Sequence, residues 1–137
     1  MKKFFLILVL GMIVGTAMAQ TPITYTHTKT VYSNGVEQEG GYSQIRVMLV
    51  GNQLKRAEYP TLTWMFHHQD NGWSVYYRAV WHGRVKQWII QYDEWYAVSP
   101  DQQTINHCYP TQTIGGNTYV SVYKQGIQHK SIGPMYE

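Results

Sequence analysis

The sequence predicts an all-β fold: an antiparallel meander of about eight to ten short strands, as expected where strand patterns recur between regular turns. Three observations predict it. Apolar and polar residues alternate over most of the chain. Turn dipeptides interrupt that alternation at even intervals, most clearly at Asn71-Gly72, His82-Gly83 and Asp93-Glu94. No stretch after the first nineteen residues shows the three-to-four-residue apolar spacing of an amphipathic helix. Consecutive hairpins curl most simply into a closed or partly closed barrel, with a two-sheet β-sandwich as the alternative.

The segment Leu62 to Ser99 holds all five tryptophans, at positions 64, 73, 81, 88 and 95. Asn-Gly is the strongest two-residue hairpin signal, because a type I′ turn needs positive φ at both positions. If the other two pairs also form two-residue loops, four strands result. Trp64 then faces Ala79, Tyr77 faces Trp88, and Tyr92 faces Trp95. Directly opposed residues share a face, so this register places every tryptophan on one side and makes Trp88 a core residue. The other side pairs Arg78 with Gln87, Tyr76 with Ile89 and Gln91 with Tyr96. A one-residue slip at any turn would break this agreement.

The remaining elements follow in order. Met1–Ala19 has Lys2 and Lys3, an apolar run from Phe4 to Val14, and Ala17-Met18-Ala19. That is a secretory signal peptide cleaved after Ala19, so the chain is expected to be secreted or periplasmic, with 20–137 as a single all-β domain. Ile23 to Val31 alternates with threonines at 24, 26, 28 and 30, whose face is expected to meet water. Asn34-Gly35 turns the chain, and Gly40-Gly41 marks a bend or bulge. Ser43 to Val50 and Gln53 to Tyr59 are strands joined at Gly51-Asn52. A two-residue loop at Pro60-Thr61 would set Lys55 against Phe66, so a bulge or longer connection is expected there. Thr104 to Tyr109 and Thr118 to Lys124 are further strands, and Gln125 to Glu137 is a loose tail or edge strand.

Composition limits the function classes. The formal charge of +3 includes Lys2 and Lys3, so the mature domain gives no electrostatic support for nucleic-acid binding. Cys108 is the lone cysteine; no internal disulfide is possible, and a small buried apolar role is expected. His107 is adjacent, but neighbours on a strand point to opposite faces. His67-His68 is the only local histidine cluster, and an extended strand would point the two apart. No metal or other cofactor is predicted. Asp93 and Glu94 are read as a solvated turn. No G-x-S-x-G, H-E-x-x-H or P-loop motif occurs.

A binding role is therefore expected in preference to catalysis, for a glycan, a protein or a small apolar ligand. The ligand-binding residues expected are Tyr76, Arg78, Gln87 and Gln91, which bring a phenol, a guanidinium fork and two amides into one patch. The alternatives are a small outer-membrane barrel or envelope structural protein, and an enzyme without a recognisable motif. Membrane contact is not expected, because Arg84 and Lys86 fall on the tryptophan face.

Overall fold

A computed structural model describes residues 21–127. The expected signal peptide with its cleavage point behind Ala19, and the residues beyond Ile127 expected to form a tail or edge strand, lie outside the described residues.

The strands are β1 (Ile23–Tyr32), β2 (Glu37–Glu39), β3 (Gln44–Val50), β4 (Gln53–Arg56), β5 (Tyr59–Asp70), β6 (Trp73–His82), β7 (Gln87–Val98), β8 (Thr104–Cys108) and β9 (Tyr119–Gln125). Every pairing is antiparallel, and from β3 to β9 each strand lies beside its sequence neighbour. β9 returns to β1, from Tyr25 opposite Gln125 to Tyr32 opposite Tyr119. The result is a closed eight-stranded barrel, with β2 as an extra strand outside the ring. Closure removes the unpaired edges of an open meander.

β1 divides one edge between two partners. Ile23 to Thr26 pair with β3, and Lys29 to Val31 pair with β2. Gly40 makes that division possible. Its N–H donates to the Thr28 carbonyl at 2.8 Å, and a Cβ there would lie 2.6 Å from the His27 carbonyl oxygen. Only glycine fits so close to a neighbouring backbone. β1 is paired on both edges, and its threonine face is only partly wet: Thr24 is exposed, Thr26 is buried, and Thr28 and Thr30 are half-buried.

Asn71 and Gly72 both have positive φ, 52° and 83°, and Asp70 faces Trp73 across a two-residue turn as the sequence predicts. The two turns after it depart from the expected register. The β6–β7 loop has four residues, Gly83 to Lys86, with Lys86 in the left-handed region. His82 therefore faces Gln87, and Trp81 faces Trp88. Asp93-Glu94 forms no turn at all. β7 runs on through it, and Tyr92, Asp93 and Glu94 bulge between the pairs Arg78–Gln91 and Tyr77–Trp95. A type I′ turn needs positive φ at both positions, which Asp93 tolerates but Glu94 does not favour, so the strand bulges where a reversal was expected. The segment thus makes three strands, where the sequence reading counts four.

A further bulge in β5 lies between Phe66 and His68 and places Trp64 opposite Arg78. This one-residue shift separates the tryptophans. Trp64 points into the barrel and is fully buried, whereas Trp81 and Trp88 are 52% and 37% exposed. Trp88 is therefore a surface residue, not core. The expected common tryptophan face survives only in part: Trp81 faces Trp88 and Trp95 faces Tyr77 on the outer side of the barrel, the side Trp73 also takes, while the β5 bulge sends Trp64 inward.

The apolar core is Tyr25, Ile45, Val47, Leu54, Trp64, Tyr76, Tyr96, Val98 and Ile105, drawn from seven strands. Trp64 meets Tyr96 edge-on at 5.0 Å. Tyr25 donates to the Gln102 carbonyl at 2.7 Å and ties the β8 approach to β1. Cys108 is buried, as expected.

Candidate functional site

The barrel interior changes character along its axis. At the end where β4 and β8 finish, the inward phase of several strands switches from apolar to charged. On β4 Leu54 is followed two residues later by Arg56. On β7 Val98 and Tyr96 lead back to Glu94, and on β8 Ile105 leads to His107. Period two keeps each charged residue on the face of its apolar neighbour, so the charges are carried inward.

They form one connected network. Glu94 is buried inside the β7 bulge. Its Oε2 accepts from His107 Nε2 at 2.8 Å, and its Oε1 accepts from Arg78 Nη1 at 3.4 Å. Tyr109 also hydrogen-bonds to it. His107 stacks flat on Tyr96, with ring centres 4.1 Å apart and planes 6° from parallel. The Tyr96 hydroxyl accepts from Arg56 Nη1 at 2.8 Å. Arg56 Nε donates to Glu58 Oε1 at 3.0 Å, and Arg46 Nε donates to Glu58 Oε2 at 2.9 Å.

The electrostatics follow from burial and pairing. Burial alone would raise the Glu94 carboxyl, but the His107 hydrogen bond, the Tyr109 hydrogen bond and the Arg78 charge hold it below the usual range. Burial pushes Tyr96 up, against the opposing pull of Arg56. Burial and the Glu94 charge push Tyr109 up to about 12. Burial opposes ionisation of Glu58, yet bonds from the Arg46 backbone and from both arginines bring it down to about 2.

Glu58 therefore makes stability fall in acid. A depressed folded pKa contributes stability above the unfolded value, about 4.5, and loses it as pH falls toward about 2. Discounted for partial exposure, the loss is on the order of 1–2 kcal/mol. Denaturant titrations across that window should show it, and Glu58→Gln should flatten the slope. An unchanged slope would mean that Glu58 is not held by the two arginines.

Arg56, Glu58, Tyr59, Trp64, Arg78, Glu94, His107 and Tyr109 line a cavity of about 570 Å³. That is within the range of small-molecule sites, roughly 300–1,000 Å³. Two buried donors in its wall, Trp64 Nε1 and Arg78 Nε, have no acceptor. An unpaired buried donor is costly, and native structures seldom leave one without a reason. Glu94 and His107 are the only acid–imidazole pair among the described residues. Among the described residues no three histidine, cysteine or carboxylate side chains converge as metal ligands would.

Of the four residues singled out from sequence, only Arg78 lines this cavity. Tyr76 faces Tyr96 within the core below it. Gln91 is the strand partner of Arg78, but its side chain is exposed. Gln87 faces His82 near the far end of the β6–β7 hairpin. The expected pairs Arg78–Gln87, Tyr76–Ile89 and Gln91–Tyr96 are replaced because the four-residue loop and the β7 bulge move every partner. His67 and His68 do not point apart either. The β5 bulge brings their Nδ1 atoms to 2.8 Å.

Sequence reasoning missed Arg56, Trp64, Glu94 and His107 as site residues. The usable signal was phase: Arg56, Glu94 and His107 each continue a two-residue alternation otherwise occupied by buried residues. Comparison with protein-family models, with curated proteins and with solved structures finds no match to this chain.

Proposed function

We propose that the mature domain, exported after cleavage behind Ala19, is a non-enzymatic binding module that takes a short glycan unit into the mouth of the barrel. The observation that carries this reading is the pair of orphaned donors, Trp64 Nε1 and Arg78 Nε, in the wall of a charge-balanced cavity. Arg56 and Arg78 are matched by Glu58 and Glu94. A balanced lining favours a neutral ligand rich in hydroxyl groups over a free anion or cation. The aromatic rings of Tyr59 and Tyr109 supply the apolar faces on which sugar rings stack, leaving their polar groups to direct hydrogen bonds.

The state of the carboxylates supports binding over hydrolysis. Cleavage of a glycosidic bond needs one carboxyl held protonated at working pH. Glu58 and Glu94 are both shifted the other way, and each has its oxygens occupied by cationic or ring N–H donors. The outward-facing Arg46, exposed and paired to Glu58, supports a barrel in water rather than one spanning a bilayer.

Glycan-array screening followed by calorimetry tests the reading. At least one saccharide should bind the wild type, and Arg78→Lys should weaken it about tenfold. Lysine keeps the charge facing Glu94 but loses the guanidinium fork and its Nε donor. The variant should melt within a few degrees of wild type. If no saccharide binds, or if Arg78→Lys binds the identified one normally, the cavity is not a glycan site.

A further inference from the structure

The hairpin of β6 and β7 outruns the barrel. β5 accompanies β6 only as far as Thr63 opposite Ala79, and β8 accompanies β7 only from Trp95 onward. Between these limits Val80 to His82 and Gln87 to Ile89 pair only with each other. A two-stranded ribbon therefore projects from the rim of the barrel.

Its surface is unusual for a part standing in water. Trp81 and Trp88 oppose each other on one face, with ring centres 5.5 Å apart. Val80 and Ile89 oppose each other on the other face, and Val85 caps the tip. All five are exposed. Contiguous exposed apolar surface marks an interaction site, but a globular partner would cover one face and leave the other wet. Here both faces and the tip are apolar, which suits a medium that surrounds the ribbon.

The charges identify that medium. Arg84 and Lys86 flank Val85 at the tip, and no carboxylate occurs from His82 through Tyr92. Cations at the leading end complement a negatively charged surface. Indole rings favour the boundary between headgroups and acyl chains, where ring and N–H are both satisfied. The ribbon's two edges carry unpaired backbone groups, which forbids deep entry into hydrocarbon. We propose that the β6–β7 ribbon is a membrane-docking wedge, inserting Trp81, Trp88 and Val85 into the interfacial layer of an anionic bilayer while Arg84 and Lys86 engage its headgroups. This inference stands apart from the glycan reading and uses none of the cavity residues.

Vesicle flotation with the mature chain tests it. Protein should float with vesicles of equal parts phosphatidylcholine and phosphatidylglycerol, and much less with phosphatidylcholine alone. Brominated lipid should quench the wild-type tryptophan emission, which reads insertion without any substitution. The Trp81→Ser/Trp88→Ser variant should stay in the dense fractions while keeping the wild-type melting temperature. Arg84→Gln and Lys86→Gln should each weaken anionic-vesicle binding about fivefold. Absence of flotation and quenching would overturn the proposal, as would a double tryptophan variant that floats like wild type. A concentration-dependent dimer that this variant abolishes, without vesicle binding, would show instead that the ribbon's occupant is a second copy of the chain.

Discussion

Trp64→Ala should destabilise the domain by about 3–5 kcal/mol, the usual range for deleting a large buried ring. Trp64 is 1% exposed, meets Tyr96 edge-on, and lies between Leu54 and Arg78 on the neighbouring strands. Its contacts come from β4, β6 and β7, which the closed barrel holds at fixed spacing. The walls cannot collapse onto alanine, so the cavity term adds to the lost burial. A domain of this size has only about 5–15 kcal/mol to lose. Trp88→Ala serves as the internal contrast. Trp88 touches Trp81 on a ribbon with water on both sides, and surface changes of this kind usually stay within about 0.5 kcal/mol. Urea titrations of the two variants should therefore differ several-fold in lost stability, with similar m-values. Equal losses, or a larger loss for Trp88→Ala, would reverse the assignment of inside and outside.

That contrast also shows what the sequence made legible. Asn71-Gly72 encodes its own turn, because its positive φ angles are a local preference. The all-β meander and the approximate position of most strands follow from the same kind of local signal. Register is different. It depends on one inserted residue at His67, on the three inserted residues Tyr92 to Glu94, and on a loop of four residues where two were expected. Each irregularity depends on what the strand meets across the barrel. Glu94 illustrates the cost. Beside Asp93 it reads as a solvated turn, yet the bulge turns it inward toward His107 and Arg78, residues distant in sequence. The separation of His107 from Cys108 was legible, because neighbours on a strand point apart whatever the register. Arg78 was singled out for the company of Gln87 and Gln91; the structure sets it in the cavity wall beside Glu94, with Gln91 as its exposed strand partner and Gln87 out by His82.

Glu94→Ala should cost about 2–4 kcal/mol at neutral pH, toward the range for removing one partner of a buried ion pair. The carboxylate gives one oxygen to His107 and the other to Arg78, and Tyr109 also bonds to it. Its loss leaves the Arg78 guanidinium facing the cavity without a counter-charge, although the arginine's residual exposure, 28% of its side chain, softens the penalty. Glu94→Gln keeps the shape and one acceptor, so its loss should be about half as large. The pH dependence separates this electrostatic account from simple cavity formation. Burial would raise the Glu94 carboxyl, but its partners hold it below the usual value. Its stabilising contribution is therefore complete above the ordinary glutamate pKa and disappears as pH falls through the depressed folded value. The gap between wild type and Glu94→Ala should accordingly narrow in acid, while a pure packing defect would keep it constant. A double-mutant cycle with His107→Ala should be strongly non-additive, because each residue is the other's partner. Additive losses, or a gap that ignores pH, would mean that Glu94 fills space in the β7 bulge without anchoring the charged end of the barrel.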